Sequence, residues 1–153
     1  TAVTLWPREV SSLTRTLWWV GKFHLLILHF PIVLVMLAAV AEGWAIWKRS
    51  VLPSHEVNVL LIIASLFIVP TVVLGWLHAW GGHGLGDNLF WHRWLGTTVG
   101  FLVLLTAGLS EIDCRRRSRS WVARGAILLS APLIAFAAHF GGLMVHGKDF
   151  LDW

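Results

Sequence analysis

Residues 23–41, FHLLILHFPIVLVMLAAVA, contain no Asp, Glu, Lys or Arg, and the apolar run continues to Trp47 past a single acid, Glu42. A helix needs about 20 apolar residues to cross the hydrocarbon core of a bilayer, so this run is long enough to span one. Comparable runs follow at about 57–80, 89–112 and 121–145. The expected fold is therefore all-α, a four-helix transmembrane bundle. Short connections place consecutive helices side by side and antiparallel, in up-down topology.

Composition agrees. The chain is 57% hydrophobic and 13% charged, with mean hydropathy +0.73. Soluble domains carry roughly twice that charged fraction, so residues 22–153 read as one membrane domain rather than a soluble core. In residues 1–21, Trp6, Val10, Leu13 and Leu17 recur at helical spacing, with Arg8, Glu9, Ser12 and Arg15 elsewhere on the wheel. This segment is expected to form a short amphipathic helix at the membrane interface. No low-complexity tract and no long repeat stands out in the sequence. One cysteine excludes an internal disulfide or a cysteine-ligated cluster, and no C-x-x-C-H is present for covalent haem.

The basic residues set an expected orientation. Lys48, Arg49, Arg115, Arg116, Arg117, Arg119 and Arg124 fall on one side. Arg8, Arg15, Lys22, Arg93 and Lys148 are spread over the other. The dense Arg loop should be cytoplasmic, with both termini outside. The charge pattern flanks apolar spans and is not a nucleic-acid footprint. Trp18, Trp19, Trp76, Trp80, Trp91 and Trp94 fall at the outer interface, and Trp44, Trp47 and Trp121 at the inner one.

In that frame the histidines sort to one side. His24 and His29 begin span 1, His78 ends span 2, His92 begins span 3, and His139 and His146 end span 4. His83 lies in the outer loop, and only His55 lies on the cytoplasmic side. An ionisable side chain in a membrane span is costly and marks function by default. By helix rise, His29 lies roughly 10 Å inward of Lys22, and His139 roughly 13 Å inward of Lys148. These two match in depth and form the leading pair. His24, His78, His92 and His146 make a shallower tier.

Glycines share the histidine stripes. His92, Gly96 and Gly100 are four apart, as Ala135, His139, Gly142 and His146 nearly are. Such a stripe leaves a slot for a flat macrocycle, although small residues also serve plain helix packing. Six histidines from four helices favour b-type haem, one or two per chain, because haem uses histidine axial ligands. Copper or zinc held by three or four imidazoles, and a histidine-ligated pigment, are the alternatives. Arg93 and Lys148 are placed to pair with haem propionates. Glu42 is expected to pair with Arg124 or Lys48.

The segment HLLILHFPI (24–32), the stretch HRWLG (92–96) and the ending HFGGLMVHGKDFL (139–151) resemble a family of bacterial predicted membrane proteins. The family is catalogued as domain of unknown function 2231, and some members lie beside or are fused to cytochrome c domains. The resemblance covers spans 1, 3 and 4. It implies a membrane electron-transfer role, with His24, His29, His92, His139 and His146 as the matching positions, and a bacterial inner-membrane location.

The expectation is therefore a b-type haem subunit of a larger membrane complex. It would link the quinone pool or a partner oxidoreductase to an extracytoplasmic cytochrome c. The rival readings are a cofactor-free anchor or assembly subunit, and a copper- or zinc-binding membrane protein.

Overall fold

The computed structural model describes residues 12–80 and 87–146. His83, Lys148 and residues 1–11 of the expected interfacial segment lie outside them, and of His146 only the backbone is described. The elements are α1 (Ser12–Gly21), α2 (His24–Ile27), α3 (His29–Trp47), α4 (His55–Trp80), α5 (Asp87–Arg116) and α6 (Trp121–His146). No strand occurs among the described residues. The four long helices are apolar enough to cross a membrane, and they form an all-α bundle of a multi-pass membrane protein. Each of the long helices packs on the next in sequence, and α6 closes the ring against α3. One end of the bundle gathers histidines and the other arginines.

Local sequence explains the boundaries. Pro31 has no N–H and its ring crowds the carbonyl of Ile27, so the first span is interrupted at Leu28. The break falls just before His29. Ahead of it the chain passes through tight i to i−3 bonds, Lys22 N–H to Trp19 and Phe23 N–H to Val20, both 3.1 Å. α1 thus runs into the first span and packs against the histidine end of α4. Gly21 makes that contact possible. A Cβ there would lie 2.4 Å from the backbone nitrogen of His78.

At the arginine end, Ser54 caps α4 by accepting from Val57 N–H, and Ser120 caps α6 by accepting from Ala123 N–H, both at 3.2 Å. Asp113 accepts in turn from Ser120 N–H at 2.8 Å. α5 runs four residues past its expected end, to Arg116, helped by the Arg115–Glu111 pair at 2.7 Å.

The interior is made of small and β-branched residues. Val35, Ala64, Ile68, Val99, Val103 and Ile134 pack below the histidine end, and Ala38, Val57, Leu61 and Ile127 lie below them. Lipid is as apolar as leucine, so packing and polar contacts rather than the hydrophobic effect hold spans together. The main polar contact is buried Glu42. It takes Arg119 Nη2 at 2.5 Å and Arg124 Nε at 3.1 Å. The expected Arg124 pairing is present, and Arg119 adds to it. Lys48 instead lies over Trp44 and Trp47.

The structure overturns the expectation of no repeat. α3 with its approach and α5 match at a spacing of 68 positions: His24 with His92, Val35 with Val103, Ala39 with Ala107, Arg49 with Arg117. Arg49 and Arg117 even share the left-handed backbone, with φ of 56° and 52°. α4 and α6 match at 66 positions: Ser54 with Ser120, Leu61 with Ile127, Ile68 with Ile134, Gly75 with Gly141. In both comparisons the buried positions coincide, 35, 38, 39 and 42 falling on 103, 106, 107 and 110. The bundle is two similar helical hairpins facing each other.

Candidate functional site

The repeat brings its two histidines together. His24 and His92 meet near the bundle axis from helices that are not neighbours in the ring, with ring centres 6.0 Å apart and planes at 79°. Each is held in the same way. His24 Nδ1 lies 2.7 Å from the carbonyl of Thr71, and His92 Nδ1 lies 2.8 Å from the carbonyl of Ala137. A carbonyl only accepts, so both Nδ1 atoms carry the proton and donate. That leaves each Nε2 with a bare lone pair, the tautomer that binds a metal.

Four residues beyond each accepting carbonyl stands a glycine, Gly75 after Thr71 and Gly141 after Ala137. The imidazoles occupy the space of the missing side chains. A Cβ on Gly75 would lie 3.1 Å from His24 Cε1, and one on Gly141 2.9 Å from His92 Cε1. Glycine and histidine thus meet across helices, not along one helix stripe as expected. Replacing Gly141 by Ala should push the His92 ring off the Ala137 carbonyl while leaving α6 helical. We expect ligand affinity to fall about 10–100-fold, as for loss of a ligand's supporting hydrogen bond. Equilibrium titration beside circular dichroism checks this.

The two histidines border a cavity of about 960 Å³ at the histidine end, lined by all four long helices. That is at the upper end of the ~300–1,000 Å³ usual for sites of organic ligands and cofactors. Gly96 and Gly142 line it, and an added Cβ on either would meet nothing within 4 Å. These two expected slot glycines do face open space.

The remaining candidates separate. His29 reaches the cavity wall but is an exposed side chain. It lies five residues from His24, beyond the interruption at Leu28, and is the more exposed of the two. His78 also lines the cavity; its ring stacks on Trp18 at 5.8 Å, and Lys22 lies over Trp18 at 4.0 Å. His139 is displaced from the expected site. It is exposed and does not line the cavity. It sits two residues from buried Ala137, about 200° around α6, and so faces away from the bundle. The repeat says the same, since its counterpart Val73 is also exposed. The expected His29–His139 pair is therefore not assembled, nor is the inward stripe Ala135, His139 and Gly142.

Trp76, expected in the interfacial belt, instead lines the cavity. Its Nε1–H donates to Thr97 Oγ1 at 2.9 Å, and the Arg93 guanidinium lies 3.9 Å over its ring. Among the described residues, no three His, Cys, Asp or Glu side chains converge as a metal site. Comparison with protein-family models, curated proteins and solved structures gave no match.

Proposed function

We propose that this chain is a membrane-embedded b-type haem protein that relays electrons, and that His24 and His92 would hold the haem iron. The observation that carries the reading is the matched pair of imidazoles, each anchored through Nδ1–H to a backbone carbonyl, with ring centres 6.0 Å apart beside a large cavity. Gly96 and Gly142 leave the open wall that a flat ring requires.

Haem supplies reversible one-electron transfer at iron when bound. The chain's part is ligation, orientation and insulation. The carbonyls of Thr71 and Ala137 fix both tautomers and raise the basicity of the ligating nitrogens. Ile68, Val99 and Ile134 line the cavity where it meets the apolar core and close it against water. With the histidine end extracytoplasmic, as the Arg-rich loop implies, the site lies close to the outer surface. That position suits exchange with a c-type cytochrome, which the resemblance of the HRWLG and HFGGLMVHG segments also favours. The reductant would be the quinone pool or a partner oxidoreductase, with this chain one subunit of a larger complex. Copper or zinc fits less well, because the described residues bring no third ligand to the pair.

The test is electron transfer itself. Protein reconstituted with haem in nanodiscs and reduced should be reoxidised on stopped-flow mixing with a soluble oxidised c-type cytochrome. Reoxidation no faster than with buffer alone would reject the relay.

A further inference from the structure

The scaffold around the two ligands is duplicated, but its charge is not. Arg93 follows His92, and its counterpart after His24 is Leu25, which also lines the cavity. Likewise Trp76, on which Arg93 lies, corresponds to Gly142. Arg93 is held in place. Trp76 donates to Thr97 Oγ1, and Thr97 donates to the Arg93 carbonyl at 2.8 Å, so ring and guanidinium are fixed together. Yet the Arg93 Nε is buried without a hydrogen-bond partner, and no carboxylate lies within ion-pair distance among the described residues. A cation positioned in a membrane-embedded cavity without an anion is costly unless a ligand supplies one.

We propose that the cavity binds its ligand in one of two nearly equivalent orientations, chosen by Arg93 through an anionic group on the ligand's edge. This rests on the haem reading, in which the anions are the propionate carboxylates and Arg93 holds them at the histidine end. Both orientations present the metal to the same two imidazoles. Only one places the carboxylates on the cation.

The test compares haem with its dimethyl ester, which keeps the iron and ring but has no carboxylate charge. The full chain should bind haem about tenfold or more tightly than the ester, the effect of a lost charge-assisted hydrogen bond. Arg93→Leu should erase the preference with the bundle still helical by circular dichroism. Adding Leu25→Arg to Arg93→Leu should bring part of the preference back, because Leu25 takes the matching place beside the cavity on the other hairpin, without the Trp76 ring. Equal affinity of the unaltered chain for both compounds would overturn the proposal while leaving haem binding intact. A preference unchanged by Arg93→Leu would overturn it too, as would failure of Leu25→Arg to restore any of it. Binding of neither compound would overturn the haem reading and this inference together.

Discussion

His24→Ala and His92→Ala, made separately, should each abolish six-coordinate haem in protein that still folds into the membrane. The two imidazoles come from opposite hairpins, and in the proposed site both would hold one haem, so neither replaces the other. Each is only partly buried, and alanine in its place leaves the core contacts of Val35 and Val103 intact. Loss of a ligand should therefore appear in haem content and spectrum, with little change in thermal midpoint. His139→Ala should bind haem like the unaltered chain, because that side chain faces away from the cavity. His29→Ala should keep the axial pair as well. The measurement is haem stoichiometry and visible absorption of each purified variant. Full retention in His24→Ala or His92→Ala would remove that residue from the site.

Glu42→Leu should give the largest loss of stability, about 3–5 kcal/mol, the usual cost of breaking a buried ion pair from one side. The carboxylate is 1% exposed and lies against two arginines. Arg119, wholly buried, would keep only Ser110 at 3.2 Å and Asp113 at 3.8 Å. Arg124 would keep the Ser50 carbonyl. Adding Arg119→Met and Arg124→Leu should recover most of the loss, since an apolar replacement of the whole cluster leaves no charge unpaired. Denaturant unfolding in detergent, followed by tryptophan fluorescence, gives both values. A loss below about 1 kcal/mol for Glu42→Leu would mean that the cluster contributes little.

The fold was legible because apolar length is a strong signal. Each span shows as a long apolar run broken by at most two charged residues, and Lys48, Arg49 and the run from Arg115 mark the turns. Pro31 also marks a break in the first span, which falls at Leu28, since proline acts on its own backbone. The site was legible by depth and not by direction. Residue number gives position along a helix, but these helices are apolar nearly all round, so no polar face fixes their rotation. His139 was placed inward by its glycine neighbours, whereas Ala137, Ala138 and Gly141 are the residues at the cavity. Pairing His24 and His92 required the repeat. Side-chain identity conceals it, because Glu42 stands opposite Ser110 and Asn58 opposite Arg124. The corresponding sets His24–Thr71–Gly75 and His92–Ala137–Gly141 are present in the sequence, yet their meaning appears only when hairpins are compared across helices.

The most direct measurement is a reduced-minus-oxidised visible spectrum of the purified full chain supplied with haem. The account predicts a sharp α-band of b-type haem ligated by two histidines, at one haem per chain. A flat difference spectrum from folded, membrane-inserted protein would contradict it.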